Sequence, residues 1–168
     1  MLFNWIKQLS AMYSPLRPPG ALPEKEFEDR CIRCRKCQHV CPFDSIKITN
    51  GAWGLKMGTP VIYPRQIPCY LCMKCPPVCP SGALNPDVTM ERVRMGVAKI
   101  DESTCLPYQG ILCRACYERC PIYREAIVLE DQLYPKVIDN KCTGCGICEN
   151  VCPTDPQSVV VMSYHFTD

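Results

Sequence analysis

Apolar and polar residues alternate in short segments along the chain, which is the pattern of half-buried β-strands. The segments with this pattern are residues 45–49, 58–63, 95–101, 126–130, 136–139 and 158–162. The turn dipeptide Asn50-Gly51 follows the first of them, and residues 136–139 come soon enough after 126–130 to pair with them. The sequence therefore predicts small strand pairs and little helix.

Helical patterns are confined to the start of the chain. Four apolar residues recur there at helical spacing and predict a short amphipathic helix over residues 1–13: Leu2, Ile6, Leu9 and Tyr13. Prolines keep residues 14–23 extended, as a linker. Pro23 and the acidic first turn after it predict a second helix over residues 24–30. We thus expect an N-terminal segment and linker over residues 1–23, and one domain over 24–168.

Cysteine spacing changes this picture. All 16 cysteines fall into four blocks that read C-x2-C-x2-C-x3-C-P, with a wider first gap in the third block. The blocks are Cys31, Cys34, Cys37 and Cys41 (block one), Cys69, Cys72, Cys75 and Cys79 (block two), Cys105, Cys113, Cys116 and Cys120 (block three), and Cys142, Cys145, Cys148 and Cys152 (block four). Bacterial ferredoxins hold [4Fe–4S] clusters with this spacing, and the fourth cysteine of each run binds the neighbouring cluster.

Two other uses of cysteine compete with this interpretation. A cysteine-rich short chain can be a disulfide scaffold, and paired C-x2-C motifs can bind zinc. Neither needs four repeats of one tight spacing followed by proline, so the sequence predicts four [4Fe–4S] clusters with iron bound by all the cysteines. Little other sequence accompanies each block, so the clusters supply much of the core, and removing iron is expected to unfold the protein.

Charge and composition exclude several other functions. The formal charge is +2, but four oxidised clusters with thiolate ligands bring the loaded protein to about −6. There is no basic stripe for nucleic acid, no catalytic constellation, no small-molecule substrate motif and no apolar run that could span a bilayer. We also find no signal peptide or twin-arginine pair near the start. The expected role is electron transfer without a catalytic site of its own.

Several motifs resemble one family, the NapG/MauM group of ferredoxin-type proteins. The motifs are Arg17-Pro18-Pro19-Gly20-Ala21 before the acidic helix, Arg94-Met95-Gly96, the wide gap from Cys105 to Cys113-Arg114-Ala115-Cys116-Tyr117, and Cys142-Thr143-Gly144-Cys145-Gly146. The likeness runs from about residue 17 to 160, and the wide gap is its most specific detail. Block two is tighter than is usual for the group.

The resemblance implies an α+β fold of two fused bacterial-type ferredoxin units, each binding two [4Fe–4S] clusters. It also implies an electron carrier beside redox protein subunits, including an integral membrane quinol-linked or cytochrome subunit. Membrane contact would then come through that partner or through residues 1–13. The family usually faces the periplasm, but without an export leader the cytoplasmic side stays open. A free soluble polyferredoxin is the alternative.

Analogy with the four-cluster subunits of molybdoenzymes implies a nested pairing, with block one beside block four and block two beside block three. The implied ligand sets are Cys31, Cys34, Cys37 with Cys152; Cys142, Cys145, Cys148 with Cys41; Cys69, Cys72, Cys75 with Cys120; and Cys105, Cys113, Cys116 with Cys79. Sequential pairing, of block one with two and of block three with four, remains open.

Unequal charge around the blocks predicts unequal redox potentials. Block one carries the cations Arg30, Arg33, Arg35 and Lys36, whereas the acids Asp139, Glu149 and Asp155 flank block four. Positive charge favours the reduced, more negative form of a cluster. We therefore predict a higher potential for the cluster held mainly by block one than for that held by block four.

Overall fold

A computed structural model describes residues 15–164 of the protein, and every predicted strand and the helix over 24–30 are confirmed. The strands are β1 (Ile46–Ile48), β2 (Pro60–Ile62), β3 (Gly96–Ile100), β4 (Ile127–Glu130), β5 (Tyr134–Val137) and β6 (Val159–Ser163). The helices are α1 (Glu24–Arg30), α2 (Lys36–His39), α3 (Ala115–Glu118) and α4 (Ile147–Asn150). Single 3₁₀ segments span Gly51–Lys56, Pro76–Val78 and Leu106–Gln109. The helix predicted over residues 1–13 lies outside the described residues.

The strands form three separate antiparallel pairs. β1 pairs with β2, β4 pairs with β5 as predicted, and β3 pairs with the distant β6. In the longest pair Ala98 lies opposite Val161. Such small pairs are only marginally stable alone, so the fold needs other packing to hold it.

The same unit of structure occurs twice along the chain. In the second half, β3 precedes block three and pairs with β6, which follows block four, while the β4–β5 hairpin joins the two blocks. In the first half, Ala21 precedes block one and bridges to Leu84, which follows block two, while β1–β2 joins the blocks. Each half therefore closes on itself and brings its own two blocks together.

The described part of the predicted linker is a structural element of the first half. Residues 15–18 are extended, as predicted, and a turn follows at Pro19 and Gly20, but residues 15–19 are all buried. Leu16 forms an antiparallel bridge with Ile62, whose N–H donates to the Leu16 carbonyl at 2.8 Å. The linker prediction is therefore wrong for these residues, because a proline-rich chain also suits the edge of a small sheet.

Two apolar clusters form the core, and cysteines belong to both. Phe27, Leu84 and Val93 are fully or almost fully buried in the first, where Cys37, Cys69, Cys75 and Cys145 also pack. Ile127 and Val159 anchor the second, beside Cys116, Cys142, Cys148 and Cys152. Within residues 15–164, no helix has the length and apolar character needed to cross a membrane.

Candidate iron–sulfur sites

Four cavities lie along the molecule, and four cysteines line each of them. Site A has Cys31, Cys34, Cys37 and Cys79; site B has Cys41, Cys69, Cys72 and Cys75; site C has Cys120, Cys142, Cys145 and Cys148; and site D has Cys105, Cys113, Cys116 and Cys152.

This grouping corrects the nested pairing implied by the molybdoenzyme analogy. Cys79 of block two completes the block-one cavity, and Cys152 lies with block three instead. Likewise Cys41 lies with block two and Cys120 with block four. The physical reason is that each half closes on itself through its own strand pairs, so the fourth cysteine of a block reaches only the other block of its half.

The block loops share an unusual backbone conformation. Both residues that flank the second cysteine are left-handed in block one (Arg33, φ 57°; Arg35, φ 60°), in block two (Leu71, φ 54°; Met73, φ 55°) and in block four (Gly144, φ 72°; Gly146, φ 84°). A left-handed non-glycine residue costs roughly 1–2 kcal/mol. Block three, with its wide gap, departs from this pattern, since Arg114 has φ −129°.

The arrangement of the sulfurs fits a cofactor larger than one ion. All sixteen thiols are free of disulfides, so the disulfide scaffold is not formed. Among residues 15–164, no three His, Cys, Asp or Glu side chains converge closely enough to bind a single metal ion, as a tetrahedral zinc site would require. Four cysteines spread around one cavity are the donor set of a [4Fe–4S] cluster.

Burial makes most of these cysteines poor thiolates on their own. It raises the pKa of Cys37 and Cys120 to about 11, and that of Cys69 and Cys116 to about 12. Metal ligation requires the thiolate form. These cysteines would hold a cluster as thiolates, and iron, when bound, would supply the positive charge that keeps the buried sulfurs deprotonated.

Cys79 and Cys152, the fourth cysteines of sites A and D, have a different environment. Burial acts to raise their pKa, but hydrogen bonds outweigh it and lower the pKa below its usual value. The Ser81 and Thr154 hydroxyl oxygens lie 3.6 Å and 3.2 Å from these two sulfurs. Sequence reasoning missed both hydroxyl residues. The signal was a hydroxyl directly after Cys-Pro in blocks two and four only.

Cysteines of different cavities lie near one another and give the order in which the four sites adjoin. Besides burial, Cys37 of site A helps to raise the pKa of Cys75 of site B. Cys145 of site C acts in the same way on Cys69 of site B. Cys116 of site D acts on Cys148 of site C. The packing agrees: Cys37, Cys75 and Cys145 belong to the first core cluster, and Cys116 and Cys148 to the second. The sites therefore adjoin in the order A–B–C–D.

The link between sites B and C joins the two halves. The Cys69 N–H donates to the Cys145 carbonyl at 2.9 Å, so the backbones of block two and block four touch. Close approach there requires glycine, since a Cβ on Gly146 would lie 2.4 Å from Pro64 Cβ of the first half. Within the second half, a Cβ on Gly144 would lie 2.3 Å from Gly96 N. The junction is therefore tightly packed.

A buried arginine, which sequence reasoning used only as a family motif, holds the approach to block one. Arg17 is 1% exposed and bonds Glu24 twice, from Nη2 at 2.6 Å and from Nε at 3.0 Å. It also donates to Thr59 Oγ1 and to the Pro60 carbonyl, both at 2.8 Å. This arginine therefore ties α1, and through it Cys31, to strand β2.

The acids near block four are less negative than the sequence suggested. Glu149 is buried, which raises the pKa of its carboxyl to about 7, and its Oε2 accepts a hydrogen bond from the Val161 N–H at 2.6 Å. Asp139 forms an ion pair with Lys99 at 2.6 Å. Two of the three acids named for block four therefore add less negative charge around that block than expected, and the predicted potential difference depends more on the cations of block one.

Comparison with known proteins agrees with this geometry. Models of a 4Fe-4S dicluster domain match residues 30–83 and residues 98–161, which are the two halves described above. Each half contributes two four-cysteine cavities. The two dicluster domains and the sixteen cysteines fit four [4Fe–4S] clusters.

Whole-chain relatives give the family. The ferredoxin-type protein NapG of Escherichia coli is 41% identical over an alignment 161 residues long that covers 88% of this chain and 70% of NapG. The methylamine utilization ferredoxin-type protein MauM of Methylorubrum extorquens is 40% identical over a 158-residue alignment that covers 88% of this chain and 72% of MauM. The ferredoxin-type protein NapF of Haemophilus influenzae is 30% identical over a 160-residue alignment that covers 83% of this chain and 76% of NapF. The chain therefore belongs to the NapG/MauM family of ferredoxin-type electron-transfer proteins.

Proposed function

We propose that the protein is the iron–sulfur subunit of a membrane oxidoreductase complex, passing single electrons between a quinol-linked membrane partner and a second redox protein. The observation that carries this proposal is the linear order of four four-cysteine sites, A to D. A [4Fe–4S] cluster, when bound, accepts and returns one electron. A line of such sites has two ends, which suits a protein that connects two partners.

The residues assigned to each cofactor follow the four cavities. Cys31, Cys34, Cys37 and Cys79 would hold one cluster at site A, and the cysteines of sites B, C and D would hold the others in the same way. The left-handed loops wrap the chain around each cavity in blocks one, two and four. The Ser81 and Thr154 hydroxyls hydrogen-bond the sulfurs of the two end sites, where they stabilise negative charge.

Membrane attachment would come through a partner subunit or through residues 1–13, on the periplasmic side, as the resemblance to the family implies. The segment contains Leu2, Ile6, Leu9 and Tyr13 at helical spacing and only one charged residue, Lys7. Such a helix suits a protein partner better than an anionic lipid surface. If the protein lay on the cytoplasmic side instead, it would attach to the membrane through the same partner subunit or the same residues 1–13.

The test is purification of the native protein in mild detergent without oxygen, with iron quantification and mass spectrometry of the proteins that accompany it. We expect about sixteen iron atoms per chain, four for each cluster, together with a multi-span membrane subunit. Adding a quinol to this complex should produce the EPR signals of reduced clusters. A chain purified without the membrane subunit is the control and should not respond to quinol.

Two outcomes would contradict the proposal in different ways. The same iron content on a chain that has no membrane partner would support a free soluble polyferredoxin instead. Iron far below this value in every anaerobic preparation would contradict the four-cluster assignment itself.

A further inference from the structure

Site A opens onto a surface that is both basic and apolar. Residues 32–36 are exposed without interruption, and they include Cys34, a cysteine of the site itself. The neighbouring 3₁₀ segment adds Leu55, which is 92% exposed, and Met57, which is 52% exposed, follows it. We call the following residues the site A surface: Ile32, Arg33, Arg35, Lys36, Leu55 and Met57.

Arg33 joins the two parts of this surface. Its guanidinium Nη2 donates to the Leu55 carbonyl at 3.0 Å. Its aliphatic stem lies over Gly58, where an added Cβ would come within 3.0 Å of Arg33 Cδ. The side chain is thus held across the surface. Because its acceptor is a carbonyl oxygen, Arg33 keeps its full positive charge there.

The cations of this surface are not neutralised by nearby acids. In the described part of the chain, no carboxylate forms an ion pair with Arg33, Arg35 or Lys36. Three of the four acids of the adjacent helix α1 are engaged elsewhere: Glu24 with Arg17, Glu26 with Arg30 and Glu28 with Lys56. The fourth, Asp29, is exposed, so one acid stands against the three cations. The surface therefore presents a positive field to solvent.

The other three sites have no charged residues in their cavity walls within the described part of the chain, whereas Arg33 and Arg35 line the cavity of site A. Site D, at the other end, also has exposed arginines and apolar residues, Arg114, Arg119, Ile111 and Leu112. Burial raises the pKa of its Cys105 thiol most, and the nearby carboxylates of Asp101 and Glu102 raise it further, so acids offset the cations at this end. The two ends of the line therefore differ in the partner they can attract.

We infer that the site A surface docks a redox protein whose contact face is acidic, an inference that rests on the electron-transfer function proposed above. Complementary charge steers the encounter and sets the orientation, and exposed apolar side chains exclude water from the contact. An anionic membrane would also attract the cations, but lipid headgroups take up no electron, and the exposed Cys34 lies in the middle of this surface.

A succinylated cytochrome c, which is an acidic redox protein with an optical signal, is the probe for this inference. The full-length holoprotein is reduced with dithionite, desalted without oxygen and mixed with the ferric probe. One electron passes from the reduced protein to the ferric haem iron, and stopped-flow absorbance gives the second-order rate constant. Native cytochrome c, whose surface is basic, is the matched probe.

Two charge-reversal variants distinguish an effect of the site A surface from an effect of the protein's net charge. The variant Arg33→Glu/Arg35→Glu/Lys36→Glu should lower the rate constant with the succinylated probe at least tenfold at low salt, and high salt should abolish the difference. With native cytochrome c the same variant should react no more slowly. The control Arg114→Glu/Arg119→Glu/Arg124→Glu makes the same charge change near site D and should keep the wild-type rate with the succinylated probe.

The outcomes are read together with the iron content and the EPR spectrum of each variant. Equal rates for all three proteins, with clusters intact, would overturn the docking inference and leave the proposed function in place. A wild-type protein that carries clusters but reduces neither probe would count against the proposed function. A third outcome would also overturn the inference: the wild type binds vesicles containing phosphatidylglycerol, the site A variant does not, and the two react with the succinylated probe at the same rate. The surface would then be assigned to membrane binding.

Discussion

Block one and block four use the same loop in opposite settings. The two residues that flank the second cysteine are left-handed in both loops, but block one has Arg33 and Arg35 there and block four has Gly144 and Gly146. In block one the side chains extend into solvent. In block four any side chain would collide with Gly96 or with Pro64 of the first half. The loop conformation therefore suits the cluster, while the residue type depends on what lies outside the loop.

The two blocks are also held in place by different forces. Ion pairs and hydrogen bonds of Arg17 and Glu24 fix the helix that leads into block one. Backbone contact fixes block four, including the hydrogen bond from Cys69 N to Cys145 O. An end site with an open face can depend on charge, whereas an inner site at the junction of two halves depends on close packing.

The largest loss of stability should follow from adding one methyl group at Gly144 in block four. In Gly144→Ala the new Cβ meets backbone atoms that cannot move aside, and overpacking together with the left-handed backbone should cost about 3 kcal/mol or more. We expect iron loss from site C, about four atoms per chain, and lower stability in anaerobic denaturant unfolding.

The matched control for this prediction is Arg33→Gly at the corresponding position of block one. Glycine adopts the left-handed conformation without strain, so stability should change by no more than about 1 kcal/mol. If Gly144→Ala kept its full iron content and wild-type stability, the packing explanation for block four would be wrong.

Removing the charge of Glu24 should lower the free energy of unfolding by less than Gly144→Ala does, because it loosens the helix that leads into block one. Glu24→Gln leaves the buried Arg17 without its counter-charge, and breaking such a pair costs about 3 kcal/mol. Burial acts to raise the pKa of Glu24, but Arg17 outweighs it and brings the pKa from 4.5 to about 2. A lowered pKa stabilises the fold above pH 4.5, and this stabilisation is lost as the pH falls from 4.5 toward 2.

The difference in unfolding free energy between wild type and Glu24→Gln should therefore be constant above about pH 5 and shrink below it. Anaerobic denaturant titrations over this pH range measure it. Glu26→Gln is the matched control, because Glu26 pairs with Arg30 on the surface, and it should cost no more than about 0.5 kcal/mol. Equal effects of the two substitutions would mean that the Arg17 pair does not hold block one.

The smallest effect should be on redox potential. In Arg33→Glu/Arg35→Glu the cluster of site A should become harder to reduce, by about 1 kcal/mol for each reversed charge at the high dielectric of an exposed site. The cluster of site C should change little. Potentiometric EPR titration gives the midpoints of all clusters. Unchanged midpoints would show that exposed cations do not set the potential of site A.

The donor cysteines, the strands and helix α1 could be predicted from the sequence because each depends on residues that are close together in the chain. Cysteine spacing requires only that a short loop wrap one cofactor, so it predicted the donor residues without knowledge of the fold. The alternation of apolar and polar residues, as over residues 95–101, predicted the strands, because successive side chains of a strand point to opposite faces and only one face is buried. Pro23 and the acids after it predicted helix α1 in the same way.

The tertiary structure alone decided what lies beside what. Cys79 and Cys152 carry the same local signal, and only the closure of each half by its strand pairs assigns Cys79 to site A and Cys152 to site D. The burial of Arg17 and of Glu149 likewise depends on distant segments that cover them. The sequence determined what each loop can bind, because that depends on neighbouring residues. The order of the four sites depended on contacts between residues far apart in the chain.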